Sequence, residues 1–247
     1  MPSKKFAAKQ KNMQFSKLYA PSLKDLFVAQ LQEKILSGEL AVGTRLPSER
    51  EIAEQMQVSR AVVNNGMAQL SRQGFLEVRP RQGTYVADYR RNGNMDTLLA
   101  IMHYNGGHFR KEEIRSILEF RMGLEHITVR RAIEFASDAE IATLRRCLED
   151  LRDAKRYTDA AEAAFQFHHE MAIIGGNQIL PLVYSSFRVP VCTLWERFCQ
   201  KYGVESLYTN TERLYQHIAK RDLVGADAWI EEYLNNAITG EQTIYEL

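Results

Sequence analysis

Hydrophobic residues recur at every third or fourth position over most of this chain, which is the spacing of one face of an α-helix. The first such face predicts a helix over residues 23–37, and its members are Leu23, Phe27, Leu31 and Ile35. Two much shorter helical patterns follow within residues 44–63. From residue 95 onward the helical spacing continues, and the alternation typical of β-strands is absent.

Two helix starts lie close together in the segment TRLPSEREIAEQMQVSRAVV, residues 44–63. Ser48 is followed three positions later by Glu51, which is the spacing of a capping box. Ser59 is a second N-cap candidate, with hydrophobic residues at both staple positions. Two short helices joined by a tight turn predict a helix-turn-helix, whose second helix enters the major groove of DNA.

A β-hairpin is predicted directly after the second of these helices. Gly74 ends the helix, and FLEVRPRQGTYV, residues 75–86, places β-type residues on both sides of a polar turn that contains glycine. A helix-turn-helix followed by a hairpin is a winged helix; the alternative is a small helical domain with solvated arginines. The residues predicted to contact DNA are Arg50, Ser59, Arg60, Asn64, Arg79, Arg81 and Gly83.

Asn64 is predicted to read a base, because it lies one helical turn after Arg60 near the start of the second helix. Asparagine pairs with adenine through the N6 and N7 groups of the base, whereas arginine prefers the O6 and N7 edge of guanine. The expected half-site therefore carries an adenine opposite Asn64. The alternative is contact with a phosphate or with water.

Charge is distributed unevenly along the 247 residues, although the whole chain has a net charge of only +1. Residues 1–90 contain 14 basic and 8 acidic residues, a net charge of +6, and residues 91–247 contain 18 and 23, a net charge of −5. A basic segment joined to an acidic remainder is typical of a nucleic-acid-binding module joined to another domain.

The remaining composition favours a bacterial cytoplasmic protein that is on the nucleoid when it binds DNA. No apolar run approaches the roughly 18 residues that a membrane span needs, and the basic start of the chain lacks the apolar core of a signal peptide. The three cysteines, Cys147, Cys192 and Cys199, lack the spacing of a metal site and are expected to be reduced thiols.

The domain boundaries follow from these patterns. We predict a basic flexible tail over 1–20, a winged helix-turn-helix domain over 21–88, a polar linker over 89–95 and an all-α domain over 96–247. The fold class is therefore mainly α, with a second domain of six or seven helices. Its later helical segments centre on residues 161–174, 179–202, 212–220 and 226–238.

Residues 23–86 resemble the GntR family of bacterial transcription regulators. The resemblance rests on LSGELAVGTRLPSEREIAEQMQVSR and on the hairpin GFLEVRPRQGTYV. The helical remainder resembles the FadR-type (FCD) effector domain of that family through IRSILE, FHHEMAIIGGN and RLYQHIAKRDLVGADAWIEEYL. The family usually has Arg-Glu where this chain has Asn64-Asn65, so a different operator preference is expected.

The resemblance also bears on metal binding. Many FCD domains hold a divalent metal through an aspartate and three histidines. At those positions this chain has Ala164, His168, Thr211 and Tyr233, so one ligand of four is retained. Since tight binding needs several correctly placed donors, we expect no cofactor and no metal. His169 and His217 are possible substitutes, although neither aligns with a ligand position.

The resemblance implies an effector site in the helical domain. Arg115 matches an arginine that faces the effector cavity in the family, where its planar fork suits a carboxylate; the alternative is a surface arginine paired with Glu112 or Glu119. Thr211 and Tyr233 are expected to bind the ligand directly. The predicted effector-binding residues are Arg115, His168, Asn177, Thr211 and Tyr233, with helix capping as the alternative for Asn177.

These observations predict a DNA-binding transcription regulator and not an enzyme. We expect a homodimer that binds a palindromic double-stranded operator, because two-fold symmetry calls for two half-sites. Its helical domain dimerises and binds a small, acidic effector that relieves repression. The alternatives are a metal-containing regulator of the same family, a metal-dependent enzyme suggested only by the His168-His169 pair, and an architectural DNA binder without an effector.

Overall fold

The structure is a computed structural model that describes residues 20–104 and 109–245. The chain folds into two compact units, Met1–Asn92 and Gly93–Leu247. The tail predicted over residues 1–20 lies outside the described residues, apart from Ala20. In the part of the chain that is described, no helix has the length and apolar character needed to cross a membrane.

Within its described residues, 20–92, the first unit contains three helices, a two-stranded antiparallel sheet and a short fourth helix. Glu77 pairs with Tyr85 and Val78 with Thr84 in the sheet, and Arg45 adds an isolated bridge to Tyr85. This is the predicted winged helix-turn-helix. Its elements are α1 (Leu23–Leu36), α2 (Glu49–Met56), α3 (Arg60–Arg72), β1 (Leu76–Arg79), β2 (Gly83–Val86) and α4 (Tyr89–Asn92).

Local interactions start both helices of the helix-turn-helix, as their sequence predicts. The Ser48 hydroxyl accepts a hydrogen bond from the Glu51 amide, and the Glu51 carboxylate accepts one from the Ser48 amide at 2.8 Å. The Ser59 hydroxyl accepts from the Val62 amide at 3.3 Å. Gln57 ends α2 in the left-handed conformation (φ 52°), which turns the chain towards α3 within three residues.

Close contact between α1 and α3 depends on a glycine. A Cβ atom added at Gly66 would clash with the Phe27 ring, which is itself fully buried. Leu31 and Ile35 of α1 are buried as predicted. Leu23, by contrast, is 58% exposed, because it occupies the first position of α1, at the edge of this small core.

The second unit is all-α and has eight helices among the described residues, whereas the sequence predicts six or seven. One difference is a break inside the segment 179–202, where Phe187 separates two helices. Pro190 explains the break, since a proline ring clashes with the carbonyl four residues earlier and removes a helical donor. The helices are α5 (Met95–His103), α6 (Lys111–Phe135), α7 (Asp138–Asp153), α8 (Tyr157–Ile174), α9 (Leu180–Ser186), α10 (Arg188–Tyr202), α11 (Val204–Ala219) and α12 (Leu223–Ile238).

Helix α8 lies at the centre of this unit and contacts α6, α7, α9, α10 and α11. It is buried on most sides, so alanines at 160, 161, 163 and 164 let its neighbours approach closely. Four large aromatic residues of this unit are buried, namely Phe165, Phe167, Trp195 and Trp229. Of these four, Trp195 also lines a cavity next to α8.

Candidate DNA interface and effector cavity

The recognition helix α3 presents two of the predicted DNA-contacting side chains to solvent. Arg60 is the first residue of the helix and Asn64 lies one turn later, and both are exposed. Arg60 has no hydrogen-bond or ion-pair partner within residues 20–104 and 109–245. Its positive charge is therefore available to a phosphate or to a guanine edge.

Two other residues of the predicted interface, Asn64 and Arg50, contact acidic residues of α2. The Asn64 amide nitrogen lies 3.3 Å from each carboxylate oxygen of Glu49. Arg50 donates from Nε to Glu54, one turn later on the same helix, at 2.9 Å. Both pairs are exposed, so they are weak in water and DNA can exchange them.

The wing places its arginines around a tight turn. The Gln82 amide donates to the Arg79 carbonyl at 3.0 Å, and Arg81 has a positive φ of 63°. Arg79 donates to Glu77 at 2.9 Å, its guanidinium lies 4.4 Å from the centre of the Tyr85 ring, and the contact lowers the pKa of the Glu77 carboxyl. Gly83 has a φ of 118°, a conformation that side chains with a Cβ rarely adopt.

A small cavity in the second unit lies among α6, α8, α10, α11 and α12. Its volume is about 30 Å³. Three of the predicted effector residues, His168, Thr211 and Tyr233, line it together. The other lining residues are Arg121, Trp195, Phe198, Leu207, Asn210, Leu214, Leu234 and Ala237.

The structure places two predicted effector residues elsewhere. Arg115 lies on the surface of α6 with 59% of its side chain exposed and donates to Glu119 at 2.8 Å. Arg115 therefore does not line this cavity, but it lines a separate pocket of about 440 Å³ together with Lys111, Lys201 and Tyr245. Its role in effector binding stays a prediction. The Asn177 side chain accepts hydrogen bonds from the amides of Ile179 and Leu180 at 2.8 and 3.0 Å, in the turn that leads into α9.

The arginine that reaches the cavity is Arg121, which the sequence interpretation missed. Its side chain is 12% exposed, its Nε donates to the fully buried Glu125 at 2.5 Å, and its guanidinium lies 4.5 Å from the centre of the Trp195 ring. Arg121 and Glu125 continue the buried face of α6 that Ile114 and Leu118 begin. The sequence signal that could have identified Arg121 was the presence of two charged residues, Arg121 and Glu125, on an otherwise apolar face of α6.

Burial sets the protonation of the groups around this arginine. It raises the pKa of the Glu125 carboxyl, while the Arg121 charge opposes that rise. Tyr233 donates its hydroxyl hydrogen to the other Glu125 oxygen. Burial, and then the Arg121 charge, hold the pKa of the His168 imidazole well below its ordinary range, so this ring is neutral. The imidazole ring of His168 stacks on the Trp195 ring, with 5.2 Å between the two ring centres.

Several polar atoms at the cavity lack partners among the described residues. The His168 Nδ1 atom has no hydrogen-bond partner and lies 3.8 Å from Glu125. Arg121 uses only Nε in a hydrogen bond, so its two terminal nitrogens have none. Of these atoms, His168 Nδ1 is buried, and a buried unpaired polar atom is costly unless a ligand or ordered water satisfies it.

The side chains at the family's metal positions do not fit a divalent metal. Ala164 offers no donor, the Thr211 hydroxyl donates to the Leu207 carbonyl at 2.8 Å, and Tyr233 donates to Glu125. His168 alone offers a ring nitrogen, and the Arg121 guanidinium lines the same cavity. A cation beside one neutral nitrogen is a poor site for a second cation.

The two other histidines considered as ligands are occupied elsewhere. His169 is hydrogen-bonded to Ser185 at 3.1 Å, and His217 to Asp222 at 2.8 Å. Neither lines the cavity. Across residues 20–104 and 109–245, no group of three or more His, Cys, Asp or Glu residues is arranged to hold a metal ion.

Known proteins resemble both units. Residues 24–86 match the model of the family described as bacterial regulatory proteins, gntR family, and residues 116–236 match that of the FCD domain. LutR of Bacillus subtilis, an HTH-type transcriptional regulator, is 28% identical over 211 residues, which cover 82% of this chain and 93% of LutR.

A second relative matches over a shorter stretch. Mce2R of Mycobacterium tuberculosis, also an HTH-type transcriptional regulator, is 40% identical over 93 residues, and the match spans 38% of each protein. Among solved structures, Lar, described as controlling expression of the Listeria monocytogenes agr system, has a TM-score of 0.59 at 15% identity. That match covers 90% of this chain and 98% of Lar, and it shows a shared fold.

These relatives are transcription regulators and not enzymes, and this chain matches them in its DNA-binding and helical domains alike. The two family matches together extend from the first helix of the winged unit to the last helix of the all-α unit. The chain therefore belongs to the GntR family of bacterial transcription regulators, in the group whose second domain is an FCD domain.

Proposed function

We propose that this protein is a repressor that binds a palindromic operator as a homodimer and releases it when a small carboxylate occupies the Arg121 cavity. One observation carries the effector part of the proposal. Among the described residues, the guanidinium of Arg121 keeps two terminal nitrogens without partners beside the unpaired Nδ1 of His168. These are the groups that a carboxylate ligand would satisfy.

The DNA-binding part rests on the exposed start of α3 and on the wing. Arg60 is free of intramolecular partners within the described residues, and Arg79 and Arg81 lie around the wing turn. A single winged helix covers one half-site. A two-fold symmetric dimer would bind two half-sites about one or more helical turns apart, which gives a palindromic operator.

The choice of a carboxylate follows from the geometry of a guanidinium. Glu125 contacts Nε, and the end-on pair Nη1 and Nη2 can still bind both oxygens of one carboxylate. The other walls of the cavity are mainly apolar, including Leu207, Leu214 and Leu234. Such walls suit the carbon skeleton of the acid and strengthen the charge interaction by excluding water.

The size of the cavity supports a link between ligand binding and a change of conformation. A volume of about 30 Å³ has room for one or two water molecules. An organic acid therefore enters only if the helices around Thr211 and Tyr233 move apart. A ligand that binds the open arrangement more tightly shifts the protein towards that arrangement, and DNA affinity changes if the two arrangements differ in it.

Two measurements on the full chain test this proposal. Selection from a random DNA library should return one palindromic motif, and a panel of small carboxylates screened by thermal shift should contain a ligand that weakens binding to that motif. Arg121→Lys keeps a positive charge near Glu125 but removes the planar fork, so it should abolish the thermal shift.

Arg115→Lys is the matched control, because this arginine also pairs with a glutamate one turn later on α6 but lies on the surface. It should keep the full ligand response. A ligand response that survives in Arg121→Lys and is lost in Arg115→Lys would overturn the assignment of the cavity. Failure of the wild-type protein to select any DNA motif would overturn the proposed operator binding.

A further inference from the structure

A second pocket of the all-α unit lies between the start of α6, the end of α10 and the segment that follows α12. Its volume is about 440 Å³, which falls within the range of pockets that hold small-molecule ligands, roughly 300–1,000 Å³. No residue lines both this pocket and the Arg121 cavity, so the two are separate sites.

This pocket is positively charged, although it belongs to the acidic part of the chain. Lys111, Arg115 and Lys201 line it, and none of the described residues in its wall is acidic. Glu119 pairs with Arg115, so three positive charges and one negative charge leave an excess of two. Residues 91–247 together carry a net charge of −5. An excess of positive charge confined to one recess attracts anions to that recess.

Most of the hydrogen-bond donors on these three side chains are still available. A lysine ammonium has three N–H groups, and Lys111 uses none of them in a hydrogen bond or ion pair with the described residues. Lys201 uses one to donate to the Thr243 carbonyl at 2.9 Å, which leaves two. Arg115 donates from Nε to Glu119, so the N–H groups of both terminal nitrogens remain. Such donors suit a ligand group with several acceptor oxygens and more than one negative charge.

Hydrogen bonds hold the wall that follows α12 in place. Tyr245 donates its hydroxyl hydrogen to the Ile238 carbonyl at 2.6 Å, and Tyr202 donates to the Thr243 carbonyl at 2.8 Å. Ile244, between these contacts, is buried in the core of the unit. The contacts of the chain itself therefore form this pocket, so a ligand loses less free energy in ordering its walls.

We infer that this pocket is a second ligand site, which binds the phosphate group of a small phosphorylated molecule. A phosphate monoester carries a charge of about −1.5 to −2 at pH 7 and has three acceptor oxygens, which match two lysines and one arginine. A carboxylate, with one charge and two oxygens, would leave one of the three cations without a partner.

The remaining walls offer surface to the organic part of such a molecule. The Tyr245 ring lies with its centre 5.1 Å from the Lys111 ammonium, and the Ile238 side chain lines the same pocket. The inference goes beyond the proposed carboxylate effector and does not depend on it, because it concerns different residues and a different class of ligand.

Titration of the full chain with inorganic phosphate tests the inference, because phosphate is the group that all such ligands share. Calorimetry should show one phosphate bound per chain, and sodium chloride at the same ionic strength should not reproduce the heat. Replacing both lysines, with Lys111→Gln and Lys201→Gln in one chain, should weaken phosphate binding by about tenfold or more, since two charge-assisted hydrogen-bond donors are lost.

Lys155→Gln with Lys220→Gln is the charge-matched control, because it also removes two exposed lysines from the all-α unit but neither lines the pocket. This control should bind phosphate as the wild type does. Thr243→Glu tests the pocket without removing a lysine or the carbonyl that Lys201 contacts. Its new carboxylate should pair with the lysines, so it should block phosphate binding without lowering the melting temperature.

Three results would contradict the inference. The first is a wild-type protein that binds phosphate no better than chloride, and the second is equal phosphate affinity in the two double-lysine variants. The third is a larger loss of DNA affinity in the pocket variant than in its control, which would assign the pocket to the DNA backbone. Arg121→Lys should bind phosphate normally, so this inference and the effector proposal fail or survive separately.

Discussion

Tyr233 on α12 donates its hydroxyl hydrogen to the carboxylate of Glu125 on α6, which is fully buried. The same carboxylate accepts from Arg121 through its other oxygen. Tyr233, at a position that holds a metal in many FCD domains, thus stabilises the buried carboxylate of Glu125. The guanidinium of Arg121 supplies the positive charge beside it. Since removing one member leaves an unpaired buried charge, these three residues depend on one another.

Metal content is the first property that this arrangement predicts. The purified protein should contain much less than one zinc, nickel or manganese ion per chain, because Ala164, Thr211 and Tyr233 provide no ligand set around His168. Elemental analysis measures this directly. One tightly held ion per chain that disappears in His168→Ala would contradict the prediction.

The pH dependence of stability should reveal the buried His168. An unfolded histidine has a pKa of about 6.5, and burial with the Arg121 charge lowers the pKa in the folded protein. As the pH falls through about 6.5, the unfolded chain binds a proton that the folded chain does not, so the free energy of unfolding decreases. The decrease should approach about 1.4 kcal/mol per pH unit until the folded pKa is reached.

The variant His168→Gln isolates this contribution, because glutamine does not titrate. Urea unfolding at pH 8 and at pH 5.5 should show a smaller loss of stability for the variant than for the wild type. Parallel pH profiles for the two proteins would mean that His168 takes up its proton equally in the folded and unfolded states.

The contact of Gly66 with Phe27 should make the winged unit sensitive to one methyl group. Gly66→Ala places a Cβ against the Phe27 ring at less than van der Waals distance, so it should destabilise the unit by about 1–3 kcal/mol through overpacking. Chemical denaturation measures the change, and Phe27→Leu in the same chain should restore part of it.

Gly123→Ala on α6 is the control for that substitution, because nothing lies within 4 Å of the added Cβ. There the better helix propensity of alanine should stabilise the all-α unit by about 0.5–1 kcal/mol. Equal effects at Gly66 and Gly123 would show that the Phe27 contact does not limit packing.

Arg60 should contribute strongly to operator binding. Arg60→Ala should cost about 1–3 kcal/mol if the side chain reads a guanine edge, and the cost should be largest on the selected motif. Gel shifts over a salt series separate this loss from simple phosphate contact, which would lower affinity for all sequences alike. Arg72→Ala, at the opposite end of α3, is the control and should bind nearly as the wild type does.

Features that depend on neighbours in the chain were predictable from the sequence. The capping box of Ser48 and Glu51 and the cap at Ser59 each involve residues within three positions, so spacing alone indicates two helix starts and a tight turn. The hairpin follows from β-type residues around a polar turn. These local signals also carry the family resemblance, and they determined the fold class and the general function.

Only the tertiary structure decided which side chains meet. Arg115 and Arg121 lie on the same helix six positions apart, and the packing of α6 against α8, α10 and α12 determines that Arg121 alone reaches the cavity. The contact of Glu49 with Asn64 likewise requires α2 and α3 to cross at one angle. Such contacts join distant positions and depend on the faces that helices bury together, so the spacing of residues within one helix does not specify them.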